Sequence, residues 1–143
     1  MIISTKDLGN VEISEEDIIT FPHGLYGFKE FHRFILLSDN NKNNPFIWLQ
    51  SVDSREPRFV VIDPFRVFEN YNVSVNSVQS CISLGKESDL RLLAITTVTA
   101  GTKEIYVNLK CPIVINAREN IADQVILDNE DYPLRYYLLK REG

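Results

Sequence analysis

PFIWLQSVDSREPRFVVIDPFRVF, running from Pro45 to Phe68, is the stretch on which the fold turns. Phe46 to Val52 is a nearly continuous apolar run and carries the only tryptophan, Trp48. Asp53-Ser54-Arg55-Glu56-Pro57 then breaks it with turn-forming residues, and Arg58 to Ile62 is a second run rich in β-branched and aromatic side chains, stopped by Asp63-Pro64. Two such runs around a polar break specify a β-hairpin. Neither run alternates cleanly between apolar and polar, so each strand has both faces covered, one by core and one by a further layer or a partner.

Shorter strand signals extend in both directions. Ile2-Ile3 and Val11-Glu12-Ile13 flank Asp7-Leu8-Gly9-Asn10, an opening hairpin with a Gly-Asn turn. Ser14-Glu15-Glu16-Asp17 could cap a helical turn, but it reads better as a solvated acidic loop before Ile18 to Phe21. Pro22-His23-Gly24-Leu25-Tyr26-Gly27-Phe28 is a shaped loop, since proline removes a donor and glycine permits positive φ. It is expected to tuck its apolar groups beneath itself as a plug, with an exposed recognition loop as the alternative. Phe34 to Leu37 is a strand, and Asp39 to Asn44, with no apolar residue, is an exposed, mobile loop.

Beyond the hairpin, Val73, Val75 and Val78 are weakly strand-like, and Ser83 to Leu90 suits a turn or one short helix. Leu92 to Val98 is a strand that turns at Ala100-Gly101-Thr102-Lys103. Ile105, Val107, Leu109 and Cys111 then alternate with Tyr106, Asn108 and Lys110, which predicts a return strand with one face buried. Pro112 marks a bend or an edge. Ile113-Val114-Ile115 and Gln124 to Leu127 supply the last strands, and the aromatic tail from Tyr132 to Leu139 docks on the body. Eight to ten short strands without a long 3.6-residue pattern predict an all-β fold: one antiparallel β-barrel-like domain spanning 1–143, with at most short helices.

The chain of 143 residues is long enough to bury a core without staples. Its net charge of −5 repels phosphate, which argues against direct nucleic-acid binding and suits a basic protein partner. No charged-then-apolar leader opens the chain and no apolar run reaches the ~20 residues of a membrane span, so a cytoplasmic protein is expected. There Cys81 and Cys111 would be reduced, small core residues rather than a disulfide. No chemistry-bearing motif emerges: Lys86 follows Gly85 without the second Walker glycine, and no nucleophile elbow or GxGxxG is present. His23 and His32 lack a carboxylate-rich or cysteine-rich motif to join them as a metal site. The acidic runs Glu15 to Asp17 and Asp128 to Asp131 read as solvated surface, with docking of a basic protein ranked second. Neither an enzyme nor a cofactor is expected, and a small ligand-binding barrel or an unrecognised hydrolase are the alternatives.

Five blocks in order resemble the FliW family of flagellar assembly factors. They are Phe21-Pro22-His23-Gly24-Leu25-Tyr26-Gly27-Phe28, Phe46 to Asp53, Phe59 to Phe65, Asn108 to Asn116, and Gln124 to Asp128 with Tyr132-Pro133-Leu134-Arg135. The resemblance implies a non-enzymatic regulator with a β-barrel-like fold. It further implies that the protein binds the RNA-binding translational repressor CsrA, and flagellin, each excluding the other, so that flagellin export frees it to relieve repression of flagellin translation. On that basis Glu69, Asp128, Glu130 and Asp131, lying in non-strand segments beside aromatic residues, are expected to face the basic partner, and Tyr71 is counted with them as a protein-binding residue. Tyr132, Tyr136 and Tyr137, with an edge at Pro112, are expected to anchor an amphipathic helix of flagellin.

Overall fold

The central hairpin forms where the sequence places it, and the sheet closes around it. The computed structural model describes residues 1–74, 78–79, 82–83, 85–101 and 103–140. Its strands are β1 (Ile2–Thr5), β2 (Gly9–Glu12), β3 (Ile19–Thr20), β4 (Arg33–Leu37), β5 (Ile47–Ser51), β6 (Arg58–Ile62), β7 (Leu90–Val98), β8 (Ile105–Val107), β9 (Ile113–Asn116), β10 (Ile121–Gln124) and β11 (Tyr136–Leu139). The main sheet runs β11-β8-β7-β6-β5-β4-β3-β10-β9, and β9 also pairs with β7. That last pairing closes seven strands, β7-β6-β5-β4-β3-β10-β9, into a barrel, as expected of an antiparallel barrel-like fold. One junction departs from antiparallel: β10 runs parallel to β3, meeting it at Ile121 and Thr20.

β7 makes the closure possible. One edge pairs with β6, while the other is divided between two partners. Leu90 to Leu93 face Asn116 to Ile113 of β9, and Thr96 to Val98 face Val107 to Ile105 of β8. β8 and β11 thus branch off the barrel as an annex.

Three apolar clusters follow from this geometry. The barrel interior holds Ile19, Phe21, Leu25, Phe34, Leu49, Val61, Leu93, Ile113, Ile115 and Ala122. Phe21 and Phe34 are fully buried and meet edge to face at 5.2 Å, so each contributes roughly 2–3 kcal/mol of burial. Outside the barrel, the β1–β2 hairpin packs Ile3 and Ile13 onto Ile35 and Val52. The third cluster sets Ile62, Leu92, Ala94, Val107 and Val114 beneath Tyr71, Val73, Leu127 and Tyr132. Both faces of the central strands are therefore covered over part of their length, with Trp48 and Val60 left half-buried on the outer face between the two outer clusters.

Several local expectations are corrected. Glu15–Asp17 forms one 3₁₀ turn rather than a plain loop, with Ser14 preceding it but making no side-chain cap. The return strand ends at Val107, because the Asn108 side-chain oxygen accepts from the N–H groups of Lys110 and Cys111 at 3.1 and 2.9 Å and turns the chain. Leu109 and Cys111 remain buried beyond the strand, so the alternation reports burial there and not pairing. The last barrel strand is Ile121–Gln124, not Gln124 to Leu127. Val125 and Leu127 instead donate to the carbonyls of Pro112 and Lys110 outside a regular ladder. Pro112 marks a bend; β9 behind it is paired on both sides and offers no edge. Val73 and Val78 are buried in the outer cluster, whereas Val75 and Cys81 lie outside the described residues. Cys111 is buried, and burial pushes its thiol pKa up. The asparagine-rich loop is exposed and tied by its own side chains, with Asn41 N–H on the Asp39 carboxylate at 2.8 Å and the Asn44 amide on it at 3.0 Å.

The Pro22 to Phe28 loop divides between both readings. Leu25 is buried in the barrel end, while Tyr26 and Phe28 face outward. Gly24, at φ +67°, is what the loop cannot do without: a Cβ there would sit 2.6 Å from the Lys29 Cα. Gly24→Ala is expected to cost at least about 2 kcal/mol, read as a lower urea midpoint; an unchanged midpoint would show that the loop can rearrange freely. Thr96 lies between Val60 and Val107 on the outer barrel face, and its buried hydroxyl has no partner among the described residues. Thr96→Val keeps the shape and removes the desolvated hydroxyl, so stability should rise by about 1 kcal/mol. A loss of that size would mean the hydroxyl is satisfied.

Candidate protein-binding surface

The chain leaves β6 through Asp63-Pro64, where the Asp63 carboxylate accepts from the Phe65 N–H at 3.0 Å and starts a 3₁₀ turn. Proline at the first position of that turn loses no hydrogen bond and fixes φ. The turn sends Phe65, Phe68, Glu69 and Tyr71 across the outer barrel face. There Phe68 packs edge to face on Tyr132 at 5.5 Å and on Tyr136 at 5.6 Å, and Tyr71 lies 4.5 Å from Tyr132 between ring centroids. The Tyr71 hydroxyl donates to the Leu109 carbonyl at 2.7 Å, and the Asn72 N–H donates to the Tyr132 hydroxyl at 2.8 Å. Burial pushes the Tyr71 phenol well above its ordinary pKa, with the Tyr132 phenol beside it a smaller cause.

These contacts join two segments that lie far apart in sequence. Glu69 stands one residue before Asn70, whose carbonyl accepts from Tyr132, and Asp131 stands one residue before Tyr132 itself. Asp128 and Glu130 belong to the same loop, which is shaped by the Asp131 N–H donating to the Asn129 side chain at 2.8 Å. Glu69, Asp128, Glu130 and Asp131 are all exposed, and none forms an ion pair among the described residues. Beside Asp128, the Lys110 ammonium donates to the Leu127 carbonyl at 3.1 Å. An aromatic foundation thus carries a face of unpaired carboxylates.

The tyrosines singled out by the sequence take different places. Tyr71 and Tyr132 are 2% and 5% exposed and belong to the outer cluster. They hold the face together from below. Tyr136 is half-buried against Phe68. Tyr137, on the opposite side of β11, stacks 5.5 Å from Tyr106 under the Lys140 ammonium at 4.9 Å, and Arg135 covers Tyr106 at 5.0 Å. Sequence reading missed Phe65 and Phe68; their position just after the Asp63-Pro64 stop was the available signal.

His23 meets Asp123 at 3.4 Å, and His32 uses Nδ1 on the Phe21 carbonyl at 2.8 Å, so the two histidines serve separate local contacts. No three metal-ligating side chains cluster among the described residues. No helix among them is long and apolar enough to cross a membrane. Among the described residues the barrel interior is packed with aromatic and branched side chains such as Phe21, Phe34, Leu49 and Ile113.

Against known proteins, a family model described as FliW protein matches residues 2–138. The flagellar assembly factor FliW of Ruminiclostridium cellulolyticum is 34% identical over 140 residues, covering 97% of this chain and 95% of the relative. That of Syntrophus aciditrophicus is 39% identical over 141 residues, covering 98% and 89%. A crystal structure of the flagellar assembly factor FliW superposes with a TM-score of 0.85 at 35% identity, covering both chains fully.

Tyr71→Phe leaves the Leu109 carbonyl buried without its donor. Unfolding free energy should fall by about 1–2 kcal/mol with an unchanged urea slope. A fall below a few tenths would show that the hydroxyl does not hold this face.

Proposed function

The chain belongs to the FliW family of flagellar assembly factors, and from that premise we propose that it is a non-enzymatic partner switch between the translational repressor CsrA and flagellin. Free protein captures CsrA and relieves repression of flagellin translation. Flagellin, when it accumulates, takes the protein and releases the repressor.

The observation that carries this reading is the face of Glu69, Asp128, Glu130 and Asp131, exposed and unpaired on a rigid aromatic base. An RNA-binding protein is basic where it meets phosphate. Unpaired carboxylates attract that surface and repel RNA from it, which is what an antagonist requires. The base matters as much as the charge, because a face already held in place costs little further ordering on binding. Tyr136 sits at the border of the face and joins it through β11 to the annex, so a partner covering the annex competes with one on the acidic face. This role needs no cofactor and no contact with nucleic acid.

Calorimetry against purified CsrA, alone and with flagellin monomer already bound, tests the switch. Binding is expected alone and lost with flagellin present; equal binding in both conditions would make the sites independent. Lysine at Glu69, Asp128, Glu130 and Asp131 together should weaken CsrA binding by roughly tenfold or more and flatten its dependence on salt. Unchanged affinity in that variant would remove the acidic face from the interface.

A further inference from the structure

Closure of the barrel leaves the nine-stranded sheet one end without a neighbour. At the opposite end β9 folds back to pair with β7, whereas β11 pairs with β8 alone, and its far edge has no strand partner among the described residues. Tyr136, Tyr137 and Leu139 pair with Val107, Tyr106 and Ile105, and Leu138 is passed over in the register. Leu138 and Leu139 are both exposed. Sheet edges are commonly guarded by a charge or a proline within the strand. Tyr136–Leu139 contains neither, and only the shift at Leu138 interrupts it.

The two faces of β11 differ. Tyr136 packs on Phe68 of the outer aromatic layer, and Leu139 shares that side through its pairing with Ile105. On the other side Tyr137 meets Tyr106 at 5.5 Å between centroids, with the Arg135 guanidinium 5.0 Å over Tyr106 and the Lys140 ammonium 4.9 Å over Tyr137. Both cations are exposed, and neither forms an ion pair among the described residues. Glu104 acts on Arg135 only from beyond ion-pair distance. The ring faces hold the two cations in place, which lowers the ordering cost of meeting a carboxylate.

We infer that the free edge of β11 receives an extended segment of a protein partner, in which acidic and apolar residues alternate, as one further strand of the sheet. The edge itself selects a strand, because main-chain N–H and C=O groups left without a ladder are met by another extended backbone. Alternation follows from the pleat, which sends successive side chains to opposite faces. Acidic residues then meet Arg135 and Lys140 on one face, and apolar residues extend Tyr136 and Leu139 on the other. A second copy of this chain fits poorly. Antiparallel pairing of two β11 strands about their centre would set Arg135 of each copy opposite Lys140 of the other, and like charges directly opposite are destabilising. The inference goes beyond the partner switch and does not depend on it.

The full chain, labelled with nitrogen-15, is titrated with a short synthetic peptide alternating valine and glutamate, and separately with the same peptide carrying lysine for glutamate. Solvent exchange of the Tyr136–Leu139 amides is followed by magnetic resonance. The glutamate peptide should slow that exchange saturably, by about fivefold or more, and the lysine peptide should bind roughly tenfold more weakly. Arg135→Glu combined with Lys140→Glu should invert the preference, and tight binding of the lysine peptide shows that the variant keeps its edge. If the variant does not fold, the contrast between the two peptides on the wild-type chain decides. Exchange unchanged by either peptide at millimolar concentration overturns the edge as a docking site. Equal protection by both removes charge from the selection, and with it the acidic occupant. A glutamate peptide that shifts the Tyr106 and Tyr137 resonances without slowing the β11 amides binds the face and not the edge, which also overturns the added strand. Sedimentation of the wild type as a dimer with these amides already protected would make the occupant a second copy, and the proposal would fail.

Discussion

The divided edge of β7 is the constraint from which the rest of the structure follows. A strand has two edges, and one nine-residue strand here serves three neighbours by giving half an edge to each of two. Pairing of Leu90 to Leu93 with β9 closes seven strands and removes their exposed edges. Pairing of Thr96 to Val98 with β8 carries the sheet outward into the annex that ends in β11. Shortening β7 at either end would open the barrel or release the tail.

Closure creates an inside, but the chain also builds two layers outside it. The N-terminal hairpin covers β4, and the segment after β6, together with the C-terminal tail, covers β7 to β9. This double coverage explains why the barrel strands are apolar on both faces. It also explains why the outer layers are aromatic: wide, flat side chains cover much of a sheet surface with few residues, and their hydroxyls satisfy carbonyls of the connecting segments, as Tyr71 does for Leu109.

Where the coverings stop, two kinds of surface are left. The aromatic layer ends at a border of carboxylates, and the gap between the layers leaves an apolar groove lined by Trp48, Val60, Val98 and Ile105. Both surfaces touch β8 and β11, through Tyr136 opposite Val107 on one side and Leu139 opposite Ile105 on the other. On the proposed partner switch, competition arises through this shared element without a change in the barrel itself.

The sequence by itself determined the class of fold and the central hairpin, because period, β-branched runs and turn residues act over a few positions and need no distant partner. It also put Glu69 and the loop from Asp128 to Asp131 on the surface, since a carboxylate in a non-strand segment is exposed almost wherever the chain goes. It could not place the tyrosines: Tyr71, Tyr132, Tyr136 and Tyr137 are alike as residues, and only packing buries the first two and stacks the last under a lysine. Nor could it end the strand at Val107, because the alternation from Ile105 to Cys111 records burial while Asn108 decides pairing. Trp48 shows the limit most plainly. Its place in the central hairpin is legible in sequence, but whether its outward face is covered depends on where two remote layers come to rest. Those positions are set by the division of β7, which is long-range pairing that no local pattern encodes.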